Sequence, residues 1–208
     1  METCDFDAKY YEKGYHKIAG IDEVGRGCLF GDVVACAIIM PRESLIDGIK
    51  DSKKLTEKKR ESLYEVILKE CVAVGIGRID AKVIDEINIK QATRLAMKEA
   101  VQHLRTQDGE KIIPDLLLVD AEKVDSRIDQ EAIVHGDDLS YSIACASIVA
   151  KVYRDRLCMR WSQDYPGYGL EKHKGYGTVL HRGAIKALGP TPLHRRTFLR
   201  KILPNEPS

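Results

Sequence analysis

Apolar positions along the chain follow two rhythms, and each predicts an element type. Ile18-Ala19-Gly20-Ile21 and Val33–Met40 are continuous apolar runs on either side of Gly25-Arg26-Gly27. Short apolar, β-branched runs bounded by glycine predict strands, here about 18–23 and 32–40, paired as a hairpin. Val72–Arg78 predicts a third strand, Leu116–Val119 a fourth ending on Asp120, and Glu131–His135 a fifth ending at Gly136-Asp137. Helical spacing takes over elsewhere. A helix is predicted from a Thr56 N-cap to about Glu70, with Leu63, Val66 and Ile67 on one face. Another runs from Ala81 to Arg105, interrupted near Ile87-Asn88. A strong helix spans Tyr141–Met159, and a last one spans Thr178–Leu188 before Gly189-Pro190. Residues 5–17 read as a short helix or arm, and Tyr165–Gly177 as a Gly- and Tyr-rich loop. Three early strands followed by alternating helices and strands predict an α/β fold. Its mixed sheet has about five strands, antiparallel first and parallel later, flanked by helices.

Composition narrows the class. The chain has 208 residues, 44% hydrophobic and 31% charged, which suits one folded domain over 1–208 with a real core. No apolar run reaches the length of a membrane span, and the polar N-terminal stretch lacks a signal-peptide core, so the expected compartment is the cytoplasm. Six cysteines without a CxxC spacing read as free thiols, not as a disulfide frame or zinc site.

The net charge of +1 hides an uneven distribution. Residues 151–201 carry 12 Lys and Arg against 3 Asp and Glu, while the rest of the chain carries 21 against 29. A second basic cluster, Lys50–Arg60, has six cations against two anions. Taken alone, such runs are ordinary solvated helix faces. Around an acidic centre they also suit a polyanion held over carboxylates.

The acidic centre follows from the strand ends. The predicted strands 1, 4 and 5 end on Asp22-Glu23, Asp120 and Asp137. If these strands are parallel neighbours, their acids share one edge, where open α/β sheets place their sites. Clustered carboxylates need cations between them, and hard oxygen donors call for Mg²⁺ or Mn²⁺. Asp22 and Glu23 point to opposite faces of a regular strand, so both serve one site only if the strand breaks at Glu23. Each acid taken singly is equally well a surface group or a turn cap. Gly25-Arg26-Gly27 is either a tight turn with an exposed arginine or a place where backbone approaches a sugar-phosphate. Tyr165, Tyr168 and Tyr176 are either packing groups or rings offered to a ribose.

The ordered motifs carry a more specific signal. IAGIDEVGRG (18–27), DSKKL (51–55), LLLVD (116–120), GD (136–137), SIACASIVAKVYRD (142–155), YPGYGLEKHKGYGT (165–178) and HRRTF (194–198) together resemble ribonuclease HII, the type 2 ribonuclease H family. Arg26 favours this type over the sister type HIII, which usually has threonine there. The resemblance implies a ribonuclease H-like fold with a basic helical and loop extension, about 160–208, packed on it. It implies an endoribonuclease that hydrolyses the RNA strand of RNA–DNA hybrids. It also implies cutting 5′ to single ribonucleotides embedded in duplex DNA, leaving a 3′-hydroxyl and a 5′-phosphate, in ribonucleotide removal and primer processing. By the matching motifs, Asp22, Glu23, Asp120 and Asp137 would be the catalytic acids holding two Mg²⁺ or Mn²⁺ ions. Gly25, Arg26, Gly27, Lys53 and Tyr176 would contact substrate. A monomer is expected, with RNA–DNA hybrid and ribonucleotide-containing duplex as partners and no membrane.

Four positions depart from the family pattern: Ala121 where glycine is common, His135 where lysine is, Asp32 where proline is, and Cys145 where alanine is. If the turn after Asp120 needs a positive φ, alanine strains it. Two rival readings remain at this point. One is another metal-dependent nuclease of the same fold, such as a junction resolvase. The other is a non-catalytic nucleic-acid-binding module, which would have no reason to place anions near phosphate.

Overall fold

The computed structural model describes residues 3–49 and 55–203; Lys53, one of the expected substrate contacts, lies outside them. Five strands form one mixed sheet in the order β3-β2-β1-β4-β5. Strand β1 (Ile18–Val24) pairs antiparallel with β2 (Val33–Ile39), which pairs antiparallel with β3 (Ala73–Ile79). On its other side β1 runs parallel to β4 (Leu116–Asp120), and β4 runs parallel to β5 (Asp129–Ile133). Strands 1, 4 and 5 are therefore the parallel neighbours that the acidic ends require.

Both faces of the sheet are covered, which explains the unbroken apolar runs of β2 and β4. On one face Ala19, Ile21, Ala35 and Ala37 pack against α3 (Ala81–Ile87) and α4 (Ile89–Gln102). On the other, Cys36 and Ile38 pack against α2 (Glu57–Glu70) and α6 (Tyr141–Asp164). Close approach is written into two glycines. A Cβ at Gly20 would run into the Ser142 carbonyl of α6, and one at Gly77 into the Ala96 carbonyl of α4. The expected Thr56 cap is present, accepting from the Lys59 N–H, and the expected interruption at Asn88 splits α3 from α4, its side chain capping α4 by accepting from Lys90 and Gln91.

Several boundaries move. Strand β5 occupies 129–133, two residues earlier than its apolar pattern suggests, and a short helix α5 (Gly136–Leu139) follows it. Asp137 therefore does not end a strand; it lies in the first turn of α5. The reason is local: His135 adopts a positive φ of 55°, which turns the chain out of the sheet before Gly136. Helix α6 continues five residues beyond Met159, to Asp164. The Gly/Tyr-rich loop holds a short helix, α7 (Leu170–His173), and beyond α8 (Val179–Leu188) lies α9 (Arg196–Leu199). With α1 (Thr3–Glu12), these complete the described helices, and none of them is long and apolar enough to cross a membrane.

Candidate active site

The C-terminal tip of β1 creates the site. Pairing between β1 and β4 stops at Ile21 with Val119, while pairing with β2 continues through Glu23 and Val24. The strand does not break at Glu23, contrary to the sequence expectation. Instead its pairing with β4 ends at Ile21, and the Asp22 carboxylate accepts the N–H of its neighbour Glu23 at 2.7 Å. Both carboxylates then line one cleft of ≈ 410 Å³ with Asp120, Ser147, Lys151, Arg60 and Tyr176.

Asp120 closes the acidic floor. Its Oδ1 accepts the Gly136 N–H at 2.8 Å, which ties the end of β4 to the start of α5. The residue after it, Ala121, has a φ of 51°, so the turn is left-handed and alanine occupies it under strain. Asp137 is almost fully buried, adjacent in the chain to the Gly136 that holds Asp120, and does not line the cleft.

The electrostatics reflect crowding of like charge. Burial pushes the Asp22 carboxyl well up, and the neighbouring Glu23 and Asp120 push it further; a Ser147 hydrogen bond and the Glu23 N–H oppose them. Burial also raises Glu23, with Asp120 and Glu122 adding to it and Arg26 opposing. One Glu23 oxygen, Oε1, accepts from Arg26 at 3.2 Å; the other, Oε2, is buried without a hydrogen-bond partner. Among the described residues no three His, Cys, Asp or Glu side chains form a closed metal cage. The donor set nevertheless fits Mg²⁺ or Mn²⁺. It consists of hard oxygens, it repels itself without a cation, and it includes the partnerless Glu23 Oε2. Mg²⁺ keeps waters and binds through one or two carboxylates plus substrate phosphates, so a preformed protein cage is not required.

The remaining expected residues fall around this floor. Gly25 has a φ of 93°, and a Cβ there would strike the Arg154 guanidinium. At Gly27 the space that a Cβ would fill is open. Arg26, 41% exposed, lies beside Glu23 and within 3.8 Å of Glu122. Tyr176 is also 41% exposed and reaches the cleft. Its two candidate companions do not. The Tyr168 hydroxyl donates to the Gly189 carbonyl at 2.6 Å, and Tyr165 packs edge-on to Phe30.

Several supporting groups were not singled out by sequence reasoning, although the AKVYRD segment of α6 was expected to help hold the nucleic-acid backbone. Glu122, two residues past Asp120, bonds Arg94 at 3.0 Å and so anchors the far side of Arg26. Ser147 and Lys151 enter the cleft from one face of α6, and Lys151 pairs with Asp155 at 2.6 Å. Their signal was available as polar positions four apart in an otherwise apolar helix. Two fully buried arginines carry the loops. Arg154 donates to the carbonyls of Asp32, Phe30 and Lys174, and Arg195 to those of Gly31 and Arg26. The Asp32 departure is compensated locally, since its carboxylate accepts from Arg78 at 2.6 and 2.9 Å.

Similarity to known proteins agrees with this architecture. Residues 19–201 match the family model described as Ribonuclease HII. The ribonuclease HII of Alkaliphilus metalliredigens is 60% identical over 203 residues, covering 98% of this chain and all of that protein. Among solved structures, ribonuclease H2 from Pyrococcus horikoshii superposes with a TM-score of 0.73 at 26% identity, over 90% of this chain and 97% of that one. A Bst-RNase HIII structure in complex with Mn²⁺ shares the fold, with a TM-score of 0.65 at 18% identity, over 88% of this chain and 65% of that one. The end of β1–β4 pairing at Ile21, the acids gathered beyond it and the near full-length identity lead to one conclusion: the chain belongs to the ribonuclease HII family, metal-dependent endoribonucleases of the ribonuclease H type.

Proposed function

We propose that this enzyme hydrolyses the RNA strand of RNA–DNA hybrids and cuts 5′ to single ribonucleotides embedded in duplex DNA, leaving a 3′-hydroxyl and a 5′-phosphate. The observation that carries this reading is a shared cleft. Three crowded carboxylates, Asp22, Glu23 and Asp120, share it with an exposed tyrosine ring and two cations, Lys151 and Arg60. Asp22, Glu23 and Asp120 are the proposed ligands of two divalent ions, Mg²⁺ or Mn²⁺; Asp137, which does not line the cleft, joins them by family likeness alone. When bound, such ions polarise a phosphodiester and acidify the attacking water.

The chain's own groups do the rest. Lys151 and Arg60 attract the flanking phosphates, and Glu122 holds Arg26 beside the acids from the side opposite Glu23. The open space at Gly27 lets a sugar-phosphate approach the backbone, where N–H groups donate to oxygen. In this reading the exposed Tyr176 ring offers a face to a ribose and its hydroxyl a partner to the 2′-hydroxyl that distinguishes RNA from DNA. Lys53 remains a substrate contact by family likeness alone. The physiological roles that follow are removal of misincorporated ribonucleotides and processing of RNA primers.

The test uses a labelled DNA duplex with one ribonucleotide, in Mg²⁺, Mn²⁺ or chelator, against an all-DNA control. A metal-dependent nick 5′ to the ribonucleotide, with the control intact, is the expected result. Cleavage of the control at a comparable rate would replace this reading with a nuclease blind to the 2′-hydroxyl.

A further inference from the structure

Three histidines, His173, His181 and His194, are buried together behind Tyr176, and none lines the acidic cleft. The rings of His173 and His181 stack with centroids 4.3 Å apart, and Nε2 of His181 lies 3.2 Å from Nε2 of His194. Backbone groups at the ends of this chain decide every tautomer. The Tyr176 carbonyl can only accept, so His181 Nδ1–H donates to it at 3.0 Å. The Thr191 N–H can only donate, so His194 Nδ1 accepts it at 2.9 Å. His194 Nε2 therefore carries the proton that His181 Nε2 accepts. The same logic fixes His173, whose Nδ1 accepts the Gly175 N–H at 3.2 Å and whose Nε2–H donates to the Tyr168 carbonyl at 2.8 Å.

All three rings are thus neutral and fully bonded, and burial, which lowers His181 to about 4 and His194 to about 3, keeps those two so. The far end of the relay is anchored to the other substrate loop. Gly31 N–H donates to Leu193 O at 2.8 Å and Arg195 N–H to Leu29 O at 2.9 Å, which fastens segment 191–195 to the residues after Gly25-Arg26-Gly27. The peptide of Tyr176 is held from both sides: its N–H by the His173 carbonyl at 2.9 Å, and its carbonyl by the Thr178 N–H at 2.8 Å within the same loop and by His181, which ties it to the segment beyond α8.

We infer that His181, held in its tautomer by His194, is a positioning residue for Tyr176 and sets how well the enzyme selects a single ribonucleotide. This rests on the proposed reading of Tyr176 as a ribose contact. A long hybrid offers a ribose at every register, so a shifted ring still finds one. A lone ribonucleotide offers one 2′-hydroxyl, and a small misplacement is costly there.

The experiment is a double-mutant cycle on the full chain with His181→Phe and Tyr176→Ala. Specificity constants are read on a single-ribonucleotide duplex and on a long hybrid. The expected result is that His181→Phe lowers single-ribonucleotide cleavage about tenfold, the scale of one lost hydrogen bond, and hybrid cleavage much less. It adds nothing further in the Tyr176→Ala background. His181→Asn, whose amide N–H sits near the position of Nδ1, restores most of the loss. Heteronuclear NMR of the metal-free protein is expected to show His181 as the Nδ1–H tautomer and His194 as the Nε2–H tautomer. If Tyr176→Ala itself leaves single-ribonucleotide cleavage unchanged, the tyrosine reading fails and the inference falls with it. If Tyr176→Ala is impaired but the His181→Phe loss is additive with it, or equal on both substrates, the relay alone is overturned. The Nε2–H tautomer at His181 overturns the relay as well, including where His181→Phe does not fold.

Discussion

Arg154 gives the strongest quantitative prediction. It is fully buried on α6 and makes three hydrogen bonds to carbonyls of two separate segments. Nε donates to Asp32 at 3.0 Å, Nη2 to Phe30 at 3.0 Å, and Nη1 to Lys174 at 2.8 Å. The first two lie just after the Gly25–Gly27 turn and the third just before Tyr176, so one planar cation spans both loops of the candidate substrate surface. Arg154→Lys keeps the charge and much of the volume but concentrates its donors at one atom. A single ammonium cannot reach all three carbonyls, and about two of the three bonds are lost. At roughly 1.5–3 kcal/mol for each bond to a charged group, the loss is about 3–6 kcal/mol. That is a large share of a typical stability of about 5–15 kcal/mol. For a chain of this size the melting temperature should fall by roughly 6–24 °C. Urea unfolding of the metal-free protein, with the slope unchanged, measures it directly. The same variant should lose selectivity for a single ribonucleotide. A stability loss below about 1 kcal/mol, the range of an ordinary surface change, would refute the claim that Arg154 holds the two loops.

Asp120→Asn should reduce cleavage by roughly a hundredfold or more while leaving substrate binding unchanged or tighter, because a charge facing phosphate is removed; fluorescence anisotropy beside a cleavage assay separates the two, and a parallel loss of binding would count against the role given to Asp120. Ala121→Gly should stabilise the protein by about 0.5–1 kcal/mol, since relief of the left-handed strain at φ 51° exceeds the extra chain entropy of glycine; an unchanged or lower melting temperature would show that the turn holds alanine without strain. The acid limb of stability carries a signature of the histidines. His181 and His194 are lowered by burial to about 4 and about 3, so their contribution is complete above the unfolded value of about 6.5 and is lost as pH falls toward those folded values. Between about pH 6.5 and 4 the unfolded chain binds the extra proton, and His181→Phe should make the slope shallower by about 1.4 kcal/mol per pH unit; identical slopes in chemical denaturation would mean that His181 is protonated in the native state.

Much of this molecule follows from local rules that a sequence states directly. The apolar runs at 18–21, 33–40 and 116–119, short and bounded by turn residues, read as strands, and Thr56 announces a helix start because a short polar side chain satisfies one of the first free N–H groups. The ordered motifs placed the chain in its family, and with it came the acids of the cleft and Tyr176. The positive φ at Ala121 was legible too, as the position where glycine is otherwise common. Other features were decided only in three dimensions. That Asp22 and Glu23 share a cleft depends on β4 ending its pairing one residue short of Asp22, a register that no alternation pattern encodes. Asp137 moved from a strand end into α5 because one left-handed residue, His135, turned the chain first. Arg154 and Arg195 counted in one dimension only toward the positive charge of the C-terminal quarter, and the three histidines carried no signal of their own. The fold buries them, since their partners are backbone carbonyls and N–H groups contributed by segments more than a hundred residues away or by neighbouring loops. A sequence records which side chains can donate; which carbonyls will be there to accept is fixed only when the segments pack together.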